Sequence, residues 1–391
     1  MMAMVGEPSE EFGFGGHGGW PHRFYCKPDP LVGLTFNFAV WYRSPSSTST
    51  FRIAWVDETN IGDDVFNQAI IRMAESIVNG EGALTETQAL ALAAADPRDT
   101  MDLIACAGRI RQHYMPPAAF RCAIINAKSG MCPEDCAFCA QSAHHSTGTD
   151  VYDLIGEEAL VAKGLEMAAA GATHYSVVTS GTSLTDEEVE IVCRAACRLK
   201  TDTTLNLCAS AGLLSRDAAR RLKAAGISRY HHNLETARSH FENICSTHDY
   251  EDDIETVRVA KAAGMAVCSG GIFGMGESWA QRVELAFTLK ALDVDSVPIN
   301  FLNPIPGTRL AHRALLAPME ALKVVALYRF IFPDKDLPIC GGREATLKDF
   351  QSWVFAAGAN GLMVGHYLTT RGRDLSADME MIAELGMDGN R

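Results

Sequence analysis

Phe120-Arg-Cys-Ala-Ile-Ile-Asn126-Ala-Lys-Ser-Gly-Met-Cys132-Pro-Glu-Asp-Cys136-Ala-Phe-Cys139-Ala-Gln-Ser142 joins a short apolar run to a loop with three cysteines. The C-x3-C-x2-C spacing places three thiolates on one tight turn. Thiolates hold iron–sulfur clusters, and a four-iron cubane held by three of them keeps one iron open. An open iron can take the amine and carboxylate of S-adenosylmethionine and pass it an electron, which starts radical chemistry. Two blander readings compete: a structural zinc site, or cysteines that only fill space. Zinc closes its tetrahedron with a second cysteine pair or with histidines. No such pair joins this loop, and Cys193 and Cys197, four apart on an expected helix, read as small apolar residues. Cys132, Cys136 and Cys139 therefore read as the seat of a [4Fe–4S] cluster.

The unit of apolar run followed by a functional-looking loop recurs along the chain. Candidate strands fall at Phe120–Asn126, His174–Thr179, Leu205–Cys208, Ser228–His232, Ala266–Gly270, Ser296–Asn300, Leu337–Cys340 and Gly361–Val364, with amphipathic helices between them. Thr185-Asp-Glu-Glu188 is a capping box before a helix. Gly171, Gly226 and Gly264 stand between a helix and the next strand, where a left-handed residue is wanted. Alternating strands and helices predict a parallel sheet. Roughly equal units, eight of them, favour a (β/α)8 TIM-type barrel over 119–385 rather than a doubly wound open sheet. Residues 63–118 read as an N-terminal helical extension, with a capping box at Thr85-Glu-Thr-Gln88. Residues 1–62 are expected to be a disordered leader; 13–20 are glycine-rich, 44–50 are serine- and threonine-rich, and Phe36–Tyr42 could pair as a strand.

Of the 391 residues, 47% are hydrophobic, enough for a sizeable core. A net charge of −14 argues against a nucleic-acid or membrane-surface partner, because a phosphate-binding face needs clustered Lys and Arg. Twelve cysteines without the density of a secreted disulfide scaffold point to a reduced, cytoplasmic setting. No apolar run is long enough to span a membrane.

In such a barrel, chemistry collects at the C-terminal ends of strands, and the marked residues fall there repeatedly. Asn233 and Glu235 follow the fourth strand; Asn233 can bond a substrate amide, and Glu235 can accept from ribose hydroxyls. The turn Gly270-Gly271-Ile-Phe-Gly274-Met-Gly-Glu277 could let a backbone edge approach a nucleoside, although most glycine-rich turns are only turns. Asn300 ends the sixth strand as a candidate substrate contact. Cys122, Cys208 and Cys268 lie on strands, Cys340 ends one, and Cys245 lies in a loop. A single strand cysteine usually fills core. Several aimed into one barrel suggest a second metal–sulfur cluster, on Cys208, Cys268, Cys245 and Cys122 with Cys340 in reserve.

The sequence resembles the biotin synthase family of radical S-adenosylmethionine enzymes from about Phe66 to Leu385. The likeness runs through the cysteine loop, Tyr230-x-His-Asn-Leu-Glu-Thr236, Val267-Cys-Ser-Gly-Gly-Ile-x-Gly-Met-Gly-Glu277, Ser296-Val-Pro-Ile-Asn300 and Ala357-Gly-Ala-Asn360. The resemblance implies a barrel, a homodimer, an external electron donor such as flavodoxin or ferredoxin, and sulfur insertion between C6 and C9 of dethiobiotin. It also implies an auxiliary cluster, commonly [2Fe–2S] on three cysteines and an arginine. Two of those cysteines match Cys208 and Cys268, but the third position is Ser176 and the arginine position is Pro338. The auxiliary cluster is thus expected to differ in ligands, as [2Fe–2S] or larger. A hydrogenase maturase or a methylornithine synthase would share the first loop without needing the strand cysteines. A non-enzymatic iron–sulfur carrier would need no barrel.

Overall fold

In the computed structural model the described residues are 39–43, 51–55 and 67–389. From the segment expected to be a leader they include an antiparallel pair, Ala39–Arg43 (β1) with Phe51–Trp55 (β2). The rest of that expectation lies outside the described residues. This pair belongs to a unit distinct from Asn67–Arg391.

The larger unit is a ring of parallel strands: Phe120–Lys128 (β3), His174–Thr179 (β4), Asn206–Ser210 (β5), Arg229–His231 (β6), Ala266–Cys268 (β7), Gly271–Phe273 (β8), Ile299–Phe301 (β9), Pro338–Ile339 (β10) and Gly361–Met363 (β11). Each of β3 to β6 pairs with its successor, up to β7. β8 pairs with β9, β9 with β10, β10 with β11, and β11 returns to β3. β7 and β8 are two halves of one strand, broken at Ser269 and Gly270. Bridges from Cys268 to Ser296 and from Glu235 to Gly271 carry the pairing past the break on both sides. The sheet therefore closes as an eight-stranded barrel whose fifth strand is split.

Local chemistry sets the helices between strands. The helix Asp186–Asp202 starts at Thr185, whose side chain and that of Glu188 complete the expected capping box. Gly171, Gly226 and Gly264 take φ of 86°, 112° and 77°, so each ends its helix in the left-handed region. In the extension, Gln68–Val78 (α1) is capped by Asn67, and Glu86–Ala93 (α2) carries the Thr85/Gln88 box. Thr100–Tyr114 (α3) and α2 pack on Pro318–Ile331 (α10), a barrel helix buried from Ala321 onward. A helix buried on all sides needs such a cover. Lys323 Nζ donates to the Ala95 carbonyl at 2.8 Å, tying the cover down.

The C-terminal helix Leu375–Glu384 is joined to the helix after β10, Arg343–Leu347, by a fork. Arg343 donates from Nη1 and Nη2 to the two oxygens of Asp378 at 3.1 and 2.6 Å, and both side chains are fully buried. Breaking a buried pair leaves an uncompensated charge. Asp378→Asn is expected to destabilise the protein by about 3–5 kcal/mol, measured as a lower urea midpoint with an unchanged m-value.

Candidate functional site

The cysteine loop follows β3 and is fixed mainly by backbone bonds. Gly130 and Met131 take positive φ, turning the chain off the strand. Cys132 N donates to the Gln141 carbonyl at 3.0 Å and Ala143 N to the Cys132 carbonyl at 2.8 Å, closing the loop on itself. Cys139 N donates to the Cys136 carbonyl at 3.0 Å, and the Cys139 carbonyl accepts from or faces His145 Nδ1 at 2.8 Å. Asp135 and Glu134 anchor the loop to the segment after β6. Asp135 accepts from the backbone N and the hydroxyl of Ser246 at 2.8 and 2.7 Å, and these bonds outweigh burial to hold its carboxyl well below the usual range. Glu134 accepts from Thr182 Oγ1 at 2.6 Å and bonds His248 Nδ1 at 2.8 Å. Sequence spacing brought the three loop cysteines together; these anchors come from residues far away in the chain.

A cavity of about 430 Å³ opens at this loop and runs down the barrel axis. Cys132, Cys136 and Cys139 line its mouth; Cys122, Cys208, Cys268 and Cys340 line it deeper. The deeper four belong to the first, third, fifth and seventh barrel strands. Side chains of alternate strands point to one axis, and the Cys122 thiol feels Cys208, Cys340 and Cys268, so the four thiols cluster there. Burial, then the proximity of Cys208, Cys340 and Cys268, pushes the Cys122 thiol far up. Burial lifts Cys208 to about 12 and raises Cys268 and Cys340 as well. Thiols so disposed ionise when a metal takes the proton's place. Four convergent sulfurs of a reduced cysteine set fit an iron–sulfur group, and the three loop thiols fit a second.

The structure does not bring Cys245 into that group. Its sulfur lies 3.8 Å from Cys136 Sγ, 3.3 Å from His248 Nδ1 and 3.4 Å from Thr247 Oγ1, beside the loop. Cys245 lines the same cavity, but from beside the loop cysteines, while Cys340, held in reserve as a ligand, stands on the seventh barrel strand near Cys268. Strand parity was the missed signal, since Cys245 lies on no strand. Ser176, on the second strand, also lines the cavity, and its buried hydroxyl has no partner among the described residues.

Asn233 and Glu235 reach the cavity as expected, Glu235 from a left-handed backbone at φ 60°. Asn233 donates from Nδ2 to Glu235 Oε2 at 3.3 Å and accepts from Gly270 N at 3.1 Å. Burial, then Asp253, pushes the Glu235 carboxyl up to about 8. Asn300 lines the cavity while bridging the Gly271 carbonyl (3.2 Å) and Gly341 N (2.9 Å). In the glycine turn the first two glycines lie against backbone. A Cβ on Gly270 would strike the Pro298 carbonyl, and one on Gly271 the Glu235 carbonyl, so these glycines admit neighbouring backbone. Glu277 turns away from the cavity: it accepts from Gly274 N at 3.0 Å and from Arg282 Nε at 2.8 Å. Gly274 and Glu277 build the turn itself.

Two family models match: the radical SAM superfamily over residues 128–289, and the biotin and thiamin synthesis associated domain over 298–388. The biotin synthase of Syntrophus aciditrophicus (strain SB) is 55% identical over 81% of this chain and 98% of its own. That of Geobacter metallireducens is 51% identical over 82% and 97%. The chain belongs to the biotin synthase family. Among solved structures, a methylornithine synthase matches with TM-score 0.70 at 19% identity, covering 82% of this chain and 97% of its own. A maturase of the [FeFe]-hydrogenase matches with TM-score 0.70 at 15%, covering 83% and 76%. At these identities the two share the fold alone. This family member is a radical S-adenosylmethionine enzyme with a [4Fe–4S] cluster and an auxiliary iron–sulfur cluster, and no helix among its described residues is long and apolar enough to cross a membrane.

Replacing Cys340 by Ala is expected to remove the iron held by the strand thiols, whereas Cys245→Ala leaves it in place. Iron and sulfide per chain after anaerobic reconstitution check the pair; equal loss from both variants would put Cys245 back among the ligands.

Proposed function

We propose that the protein completes biotin by inserting sulfur into dethiobiotin, with the loop thiols of Cys132, Cys136 and Cys139 holding the four-iron cluster. In this reading Cys122, Cys208, Cys268 and Cys340 hold the auxiliary cluster. The observation that carries it is one cavity lined by the three loop thiols, with Cys245 beside them, and by the four strand thiols. When bound, the first cluster and S-adenosylmethionine supply a hydrogen-abstracting radical, and the auxiliary cluster supplies sulfur. The chain's own groups position the reactants. Asn233 and Glu235 stand at the mouth for the nucleoside; Asn300 stands lower for the substrate, its amide fixed by two strands. Val178, Met363 and Leu368 add apolar wall to the cavity. A confined, oriented carbon radical meets sulfur before solvent. The same reading includes a flavodoxin or ferredoxin as reductant, a homodimer, and the cytoplasm as the setting. The acidic charge of −14 supports the absence of nucleic-acid and anionic-membrane partners.

Two measurements test this. Cys208→Ala is expected to keep 5′-deoxyadenosine formation and lose biotin, because only the sulfur-donating step needs the strand thiols; normal biotin yield from that variant would sink the ligand set. The second uses pH. Ribose hydroxyls donate most strongly to an ionised carboxylate, and burial pushes the Glu235 carboxyl up to about 8. Affinity for S-adenosylmethionine should therefore rise as pH climbs through 8, up to about tenfold, the worth of a charge-assisted over a neutral bond. Glu235→Gln should bind weakly at every pH, with a flat profile in equilibrium dialysis.

A further inference from the structure

Arg229 opens the fourth barrel strand, in register with Cys208 on one side and Ala266 on the other. Its side chain is 15% exposed and lines the deep cavity. Nη2 donates to Asp336 Oδ2 at 3.1 Å, and the guanidinium carbon lies 5.3 Å from the centre of the Phe120 ring. Nη1 is fully buried and has no partner among the described residues. Leaving such a donor unmade carries its whole desolvation penalty, larger when the donor is charged.

The groups facing this guanidinium are unusual. Burial alone would weaken its hold on the proton, but Cys268, Asp336 and Cys208 together more than offset that. Cys122 also feels its charge. His174 faces it from the second strand and is pushed down to about 3 by burial, then by Arg229, so it adds no second cation. One carboxylate therefore stands beside one guanidinium, with up to four sulfurs in front.

The cation is also braced from behind. Asp336 Oδ1 accepts from Asn360 Nδ2 at 2.9 Å, and Asn360 Oδ1 accepts from Arg329 Nη2 at 3.1 Å. Arg329 in turn is fixed by the carbonyls of Gly358, Phe332, Pro333 and Lys335 at 2.7–3.0 Å. A side chain held this firmly lines the cavity beside Cys208, and its Nη1 has no partner among the described residues.

We propose that Arg229 is a positioning residue of the strand-thiol centre, donating from Nη1 to a sulfur of the cluster bound there and offsetting the charge of its thiolates. This rests on the reading that Cys122, Cys208, Cys268 and Cys340 hold the auxiliary cluster. Hydrogen bonds to sulfur and net charge are among the terms that set a cluster's reduction potential. Arg229 thus keeps the auxiliary cluster at a higher potential than its four thiolates alone would give, and fixes its seat.

The test uses the full chain reconstituted anaerobically with iron and sulfide. Iron per chain and the potential of each cluster are read by redox titration followed by electron paramagnetic resonance. Arg229→Lys, which keeps the charge, should retain the auxiliary iron and a potential near that of the parent. Arg229→Gln, which keeps an N–H donor without charge, should retain iron but shift the auxiliary potential downward. Arg229→Met should lose auxiliary iron. Asp336→Asn frees the guanidinium from its anchor and should shift the potential while keeping iron, so a folding failure of the Met variant does not decide the matter. Parent-like potentials and iron content in Gln and Asn variants would overturn the role of Arg229 while sparing the cluster. A parent protein with iron for one cluster only would overturn the four-thiol reading itself, and this proposal with it.

Discussion

Inward-facing side chains of a closed parallel barrel come only from every second residue, and only alternate strands share a level. That constraint governs most of what this molecule can do. It brings cysteines separated by dozens of residues, Cys122, Cys208, Cys268 and Cys340, to one stretch of the axis from the first, third, fifth and seventh strands. It places Arg229 and His231, two apart on the fourth strand, both toward the axis. Closure depends on the split fifth strand, where Gly270 lets the Pro298 carbonyl come close enough for the neighbouring strands to meet across the break. A larger residue at Gly270 would push those strands apart, and the four thiols would no longer converge.

Much of this was legible in the sequence. The expected strands fall within three residues of those observed, apart from the split in the fifth, because β-branched and apolar runs alternate with capped helices at a steady interval. The capping boxes at Thr85 and Thr185 form as read, being bonds between residues three apart. The loop cysteines were legible for the same reason. What failed were inferences about where a loop residue points. Cys245 sits beside Cys136 because the segment after β6 folds onto the cysteine loop, through Asp135 to Ser246 and Glu134 to His248. No spacing encodes that contact. Glu277 looked like a ligand-facing carboxylate at the end of a glycine turn, yet Arg282, five residues on, claims it.

Arg229 escaped notice for a different reason. An arginine at the start of a strand reads as a solvated charge, and only burial shows otherwise. The buried set Arg229, Asp336, Asn360 and Arg329 spans four segments and ends in the Ala357-Gly-Ala-Asn360 stretch, whose role as a brace no local pattern reveals. Its energetic logic is plain once assembled. A buried guanidinium is tolerable when its donors are satisfied, and Arg329 meets that condition with four backbone carbonyls and the Asn360 side chain. Arg229 does not, and the mismatch lies beside the thiols.

The two thiol sets are built on different kinds of element, and that difference bears on how they work. The strand thiols stand on the rigid part of the molecule, where neighbouring strands hold each side chain in place. The loop thiols stand on a turn held to the barrel by side-chain anchors such as Glu134 and Asp135, partly open to solvent. A centre that must meet an incoming S-adenosylmethionine and an electron donor benefits from exposure at the mouth. A centre that must present sulfur to one carbon at a time benefits from a wall that does not move. The cavity lies between the two, so the distance a substrate must span is fixed by the barrel rather than by either set of cysteines. Changes to the loop anchors would therefore alter the start of the reaction without moving the place where it ends.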